Sequence, residues 1–295
     1  MIVRPSVGFI GAGKVGTTLA RLLFARGFMI SCVYSRSTSH AEILADAVHA
    51  KVAASAGEVV RSADLTFLTV PDDAIGEVAA TLVTTQLSGK AVVHTSGVQE
   101  SSVLNSLVVY GAMVGSLHPI FPFADIEQSL IGLPGAVFGL QADSQPLQDW
   151  LKAIISALDG QTLMIATGQK ALYHSALVFA SNYCVTLYAI AQQLLTHMGA
   201  EREVSALALN TLTAGMVRNL QMMGIPDALT GPLVRGDVGT IEAHLAALQL
   251  FNPTLANLYT QLAIQTLPLA AARGADTGLI EVLLRKKMDD AHNHT

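Results

Sequence analysis

The sequence predicts an α/β fold, an N-terminal doubly wound and mainly parallel sheet followed by an all-α C-terminal domain. Three observations carry that prediction. An apolar run at residues 7–10 leads into three closely spaced glycines and then a helical pattern. Short apolar strand patterns alternate with helical ones as far as residue 165, the rhythm of βαβ units. From residue 166 onward only long helical patterns remain, broken at Gly199, at Gly224-Ile225-Pro226 and at Thr230-Gly231-Pro232. The expected domains are therefore 1–165 and 166–295, and 295 residues suit two domains.

The first element is the most informative. Val7, Gly8, Phe9 and Ile10 read as a buried strand, and Gly11, Gly13 and Gly16 follow with the spacing G-x-G-x-x-G. Val15, Leu19, Leu22 and Leu23 then recur at the spacing of one helix face. Gly11 permits a tight turn, Gly13 lets backbone approach a pyrophosphate, and Gly16 permits close packing of the helix. The unpaired N–H groups and positive dipole end of that helix suit phosphate. A strand before and a helix after separate this pattern from an incidental glycine turn. Gly11, Gly13, Lys14, Val15 and Gly16 are the expected dinucleotide contacts.

Residues 29–34 read as the second strand. NAD-preferring folds commonly end this strand with an acid that holds the ribose 2′-OH. Here Ser35, Arg36, Ser37 and Thr38 follow instead, and a guanidinium flanked by hydroxyls suits a 2′-phosphate. A charge-assisted contact of this kind contributes about 1.5–3 kcal/mol, enough to select NADP over NAD. The bland alternative is an ordinary loop arginine. A helix at 41–48 and the fourth strand at 64–70 come next, ending in Pro71-Asp72-Asp73. Val70 and Pro71 are placed to line the cofactor, while Asp72 reads equally as a helix N-cap.

The fifth strand, 91–93, is followed by His94-Thr95-Ser96-Gly97. Ser96 there either faces the substrate or only makes a turn. A strand at 111–117 leads to His118-Pro119, and a histidine at a strand's carboxyl end is a candidate substrate contact. Strands at 135–140 and 162–165 flank a helix at 146–158.

Composition narrows the function classes. A net charge of −5 and a pI near 6.0 give no basic footprint for nucleic acid. Cys32 and Cys184 have no metal-ligand spacing, so no metal is expected and a reducing cytoplasm is the simplest home. The N-terminus shows no signal-peptide pattern. Residues 171–200 and 243–272 lack Asp, Glu, Lys and Arg, but each carries several His, Asn and Gln. Burying those amides in lipid is expensive, so helices buried against protein, and hence a homodimer through the helical domain, are expected rather than membrane spans.

Together these features resemble the 6-phosphogluconate dehydrogenase superfamily. GSLHPIFPFAD (115–125), LYHSALVFASNY (172–183) and LTGPLVRGDVGTIEAHL (229–245) are more closely similar to a bacterial family that joins a Rossmann-like domain to a C-terminal domain of unknown function. That family is described as NADP-dependent oxidoreductases without a settled substrate. The superfamily places a lysine on the first helix after the Rossmann domain, with an amide residue about one turn later. Lys170 and His174 match this arrangement, with histidine in place of asparagine. At helical spacing Lys170, His174 and Ser181 fall within ~40° on one face, and Asn182 matches the family's Ser-Asn pair. Each has a bland alternative: Lys170 as a surface helix start, His174 as a core histidine. Arg235 reads either as a substrate contact across a dimer or, with Gly236 and Asp237, as a turn whose Asp237 caps a helix.

The resemblance implies an NADPH-dependent oxidoreductase. A hydride would pass to a small carbonyl or imine substrate bound between the domains, with His174, Lys170 and Asn182 as catalytic candidates. The alternatives are a non-catalytic NADP-sensing or regulatory protein and a deazaflavin-dependent NADP reductase.

Overall fold

The computed structural model describes residues 4–83 and 87–292, with side chains as far as Met288. Eight strands form one sheet in the order β3-β2-β1-β4-β5-β6-β7-β8. The strands are β1 Val7–Ile10, β2 Ile30–Tyr34, β3 Lys51–Val52, β4 Leu65–Leu68, β5 Ala91–His94, β6 Met113–Pro119, β7 Val137–Ala142 and β8 Gln161–Met164. Every neighbouring pair is parallel except β6 and β7. Helices α1 Lys14–Ala25, α2 Thr38–Ala47, α3 Ala56–Ser62, α4 Ile75–Leu82, α5 Ile126–Gly132 and α6 Gln145–Ala157 connect them.

The apolar pattern explains both layers. Central strands such as β1 and β4 are buried along their whole length, as parallel strands covered on both faces must be. Side chains alternate across the pleat. Val7 and Phe9 join a core with Leu19 and Leu23 of α1, Leu44 of α2 and Leu151 of α6. Ile10 belongs to the opposite core with Val59 of α3, Leu68, and Ile75 and Leu82 of α4. Burying one such leucine stabilises by about 1.5–3 kcal/mol. The doubly wound α/β class expected from the sequence is the class observed.

Two boundaries differ instructively. The fourth strand stops at Leu68 because Thr69 turns back to bond the glycine loop, its Oγ1 donating to Gly11 O at 2.8 Å. Helix α7, Lys170–Ala180, ends before Ser181, whose φ of −123° and ψ of −70° leave helical geometry. Ser and Asn favour such breaks because their side chains compete for backbone groups. Ser181 therefore does not share one continuous helix face with Lys170 and His174, which corrects the reading from spacing.

The chain forms two compact units, Met1–Thr186 and Leu187–Thr295. Strands end with β8, as the pattern change near residue 166 implies, while α7 belongs to the first unit. After α7 come α8 Asn182–His197, α9 Arg202–Met223, α10 Val238–Phe251, α11 Pro253–Ala272 and α12 Gly278–His292. The second unit has a small core of Ile241, Leu245, Ala263, Leu267, Ile280 and Leu284. Among the described residues no helix is long and apolar enough to cross a membrane.

Candidate functional site

The glycine loop closes on the carboxyl ends of three strands. Gly11 has φ +109°, and a Cβ there would lie 2.4 Å from Thr69 O. Its N–H donates to Tyr34 O at 2.8 Å, tying the loop to the end of β2. A Cβ on Gly16 would lie 2.4 Å from Thr69 Oγ1 and 2.5 Å from Gly11 O. Gly13 differs: a Cβ there would meet nothing within 4 Å. Gly11 and Gly16 are thus required by packing within the protein, whereas Gly13 keeps an open face. Gly13 is also the N-cap of α1, and no side chain caps that helix. The first N–H groups of α1 therefore lack the partner that a Ser or Asp cap supplies. An open backbone cradle at an uncapped helix N-terminus fits a pyrophosphate.

The other expected cofactor contacts fall around it. Ser35, Arg36 and Ser37 follow Tyr34 directly, and Arg36 is exposed. Ser37 has a structural duty as well, its Oγ accepting from His40 N at 3.4 Å to cap α2. Lys14 Nζ donates to Ala124 O at 2.6 Å, and Val15 packs against the first core. Val70 packs on the second core. Pro71 precedes a short 3-10 turn, Asp72–Ala74. Asp72 caps nothing there and stays exposed.

A second set of polar groups is built by α7 on the loop after β5 and the end of β6. Lys170 is fully buried and donates from Nζ to Ser96 O at 2.7 Å. Burial pushes its ammonium down to about 8, against the pull of Glu100 and Asp72. Ser96 Oγ accepts from Val98 N at 3.2 Å and Gln99 N at 3.0 Å, so its side chain makes the turn. Ser96 N donates to His94 Nδ1 at 3.2 Å, and His94 Nε2 lies 3.2 Å from Glu100 O. With Nδ1 accepting, the proton of neutral His94 sits on Nε2. Burial, then the Lys170 charge, brings His94 down to about 4.

Glu100 anchors this turn to α7. Its Oε1 accepts from Lys170 N at 3.1 Å, and its Oε2 accepts from Gln141 Nε2 at 2.6 Å. Gln141 Oε1 in turn accepts from Ser101 N at 2.7 Å. Burial alone would raise the Glu100 carboxyl, but the hydrogen bonds from Gln141, Lys170 and Gly168 bring it below its ordinary range. A carboxylate at a helix N-terminus is favourable, and α7 has no side-chain cap from its own N-cap residue Gln169.

One turn into α7, Tyr173 and His174 reach the ends of β6 and β5. His118 Nδ1 lies 2.7 Å from Tyr173 Oη. A Cβ on Gly97 would lie 2.6 Å from His174 Cδ2 and 3.0 Å from His118 Nε2, so both imidazoles meet over Gly97. Their ring centroids are 6.3 Å apart. Ser96, His118, Lys170 and His174 thus come together in the first unit, at the sheet's carboxyl edge where doubly wound folds bind ligands. Asn182 starts α8 and is exposed. Arg235 lies in the second unit, exposed, 3.9 Å from Asp237, which caps α10 through Thr240 N at 3.0 Å. No group of metal-ligating side chains occurs among the described residues.

Thr69, Glu100, Gln141 and Tyr173 escaped the sequence reading. Only Tyr173 carried a local signal, its place between Lys170 and His174 on one helix.

Residues 6–97 match the family described as NADP oxidoreductase, coenzyme F420-dependent, and residues 136–266 match a domain of unknown function, DUF2520. The two matches follow one another along the chain in the order the resemblance implied, an NADP-oxidoreductase-type Rossmann domain and then that C-terminal domain. A candidate NADP oxidoreductase from Bacteroides fragilis is 28% identical, with a TM-score of 0.72 over 91% of this chain and 100% of that one. A protein from Thermotoga maritima is 27% identical, with a TM-score of 0.74 over 91% and 100%. A reductive aminase from Aspergillus terreus, in complex with NADPH and ethyl-5-oxohexanoate, shares the fold at 17% identity, with a TM-score of 0.65 over 95% and 100%. No curated protein matches the chain.

Proposed function

We propose that this protein is an NADPH-dependent oxidoreductase that reduces a small carbonyl or imine substrate. The observation that carries the reading is the placement of Lys170, Tyr173 and His174. One helix sets all three against the loop after β5 and the end of β6, on the sheet edge that also bears the glycine loop. A dinucleotide-binding module without chemistry has no need of such a cluster. The NADP-oxidoreductase family match and the NADPH bound by the Aspergillus aminase support the choice of cofactor.

The residues divide the work. Gly11, Gly13 and Gly16 with the N-terminus of α1 hold the pyrophosphate, and Arg36 with Ser35 and Ser37 holds a 2′-phosphate. When bound, NADPH supplies the hydride. Lys170 is committed to Ser96 O and fully buried, so its part is to fix the 94–100 turn. His174, half-buried beside Gly97, is the proton donor to the reduced group. His118 forms the wall the substrate meets, Ser96 holds the turn beneath it, and Asn182 is assigned to substrate orientation. The exposed apolar helices of the second unit support a homodimer, and the free cysteines Cys32 and Cys184 suit a cytoplasmic protein.

Calorimetric titration with NADPH and then NADH tests the premise. Arg36→Ala is expected to weaken NADPH by about 1.5–3 kcal/mol and to leave NADH unchanged. His174→Ala is expected to lower turnover roughly 10²–10⁴-fold in a carbonyl and imine screen while keeping NADPH affinity. Equal loss of turnover and affinity removes the role assigned to His174, and binding without turnover of any substrate favours the sensing alternative. The F420-dependent description of the family matching residues 6–97 favours one further reading. Hydride exchange between NADPH and a deazaflavin, without an organic substrate, would establish it.

A further inference from the structure

The β6–β7 pairing contains a slot whose use goes beyond cofactor binding. These are the antiparallel strands of the sheet, and their register sets His118 opposite Gly139. A Cβ on Gly139 would lie 2.5 Å from Tyr173 Oη and 2.8 Å from Ile165 Cδ1. Glycine opposite the histidine therefore leaves room for a phenol to cross from α7 and reach the neighbouring strand. Tyr173 fills that room, edge-on to His118 with ring centroids 5.7 Å apart at 89°. The imidazole is held at one end, Nδ1 at the phenol, and its Nε2 faces Gly97.

We propose that Tyr173 is a positioning residue that fixes His118 in its Nε2–H form, presenting a neutral hydrogen-bond donor beside Gly97 to the oxygen or nitrogen of the substrate. The use of that donor rests on the reduction reading above, whereas the geometry does not. Two arrangements satisfy a 2.7 Å contact between Oη and Nδ1. In one the phenol donates and the histidine proton sits on Nε2. In the other Nδ1–H donates, and the phenol proton needs a second acceptor. Among the described residues His118 is the hydrogen-bond partner of Tyr173 Oη, so the first arrangement satisfies the phenol and Nδ1 and leaves the Nε2–H facing Gly97 for substrate.

The ionisation states agree with this choice. Burial pushes the phenol up to about 12, so it keeps its proton. Burial, then the charges of Lys170, His174 and His94, bring His118 down to about 4, so the ring carries one proton at neutral pH. A neutral imidazole held in one tautomer can polarise a carbonyl without carrying a charge.

Nitrogen-15 NMR of the full-length protein labelled at histidine tests this at pH 7, with the His118 signals identified by their loss in His118→Gln. The expected result is a single tautomer, Nε2 protonated and Nδ1 bare. Tyr173→Phe keeps the ring and removes the bond, and should convert that signature into a mixture. Gly139→Ala, which closes the slot from the other strand, should do the same. Protonation at Nδ1 in the unmodified protein would overturn the proposal. So would a single Nε2–H tautomer that survives Tyr173→Phe. NADPH titration of the same samples separates the two ideas. Failure of the unmodified protein to bind NADPH sinks the reduction reading and leaves the tautomer result standing.

Discussion

The two compact units treat their surfaces in opposite ways. In the first, apolar strands are sealed on both faces, and the buried side chains of Lys170, His94 and Gln141 at the sheet edge find partners. In the second, helix α9 buries only Ser205, while Leu207 is 69% and Leu212 72% exposed. Helix α8 buries no residue at all. The difference teaches where each unit obtains its stability. A sheet covered by its own helices completes its core within one chain, whereas long helices that leave large apolar side chains exposed complete theirs against another surface. The homodimer proposed above would supply such a surface.

The largest expected effect breaks that contrast at α9. The unmodified protein should sediment as a dimer at micromolar concentration, and Leu207→Glu with Leu212→Glu should sediment as a monomer. A monomer before substitution would remove the dimer from the reading.

Acid provides the next test, on the first unit. Burial, then neighbouring charges led by Lys170, brings His94 and His118 down to about 4 in the folded chain, against an ordinary 6.5. Between those values the unfolded chain binds more protons, so stability rises with pH. The contribution is complete above pH 6.5 and is lost as pH falls toward 4, at most roughly 3 kcal/mol for each imidazole. Hydrogen exchange should show protection fading first in β5 and β6, while the core around Ile241 and Ile280 keeps its protection. Equal loss in both units would mean that the two imidazoles do not set the acid limit.

The smallest effects distinguish two glycines of one loop. Gly16→Ala forces a Cβ against Thr69 Oγ1 and Gly11 O, and should cost about 1–3 kcal/mol of stability by chemical denaturation. Gly13→Ala meets nothing within 4 Å, so stability should change by no more than about 0.5 kcal/mol. It should nonetheless weaken NADPH, because the added methyl occupies the cradle. Unchanged NADPH affinity in Gly13→Ala would move the phosphate contact elsewhere.

Local order made much of this legible in advance. A buried strand, three glycines and an amphipathic helix span some twenty consecutive residues, and the turn they form depends on those residues. His118 and Ser96 could be placed at strand ends because strand periodicity is local too. Lys170 and His174 drew attention through family resemblance, and their spacing puts them on one helix. What stayed hidden was chosen by long-range contact. Glu100 caps α7 from another part of the fold, Thr69 pins a loop that begins at Gly11, and Tyr173 reaches His118 only because β7 offers Gly139. Nothing near Gln169 in sequence announces that a distant carboxylate serves as its helix's cap.

The sequence by itself determined the doubly wound sheet, the glycine loop and the change to helices after β8. Hydrophobic period and turn chemistry act over a few residues and leave their marks in order along the chain. Only the tertiary structure decided that Lys170 spends its ammonium on Ser96 O, that α7 ends before Ser181, and that two imidazoles meet over Gly97. Those outcomes depend on which strand ends the sheet order and the antiparallel β6–β7 register bring together, and residues far apart in sequence become neighbours only when the whole sheet has formed.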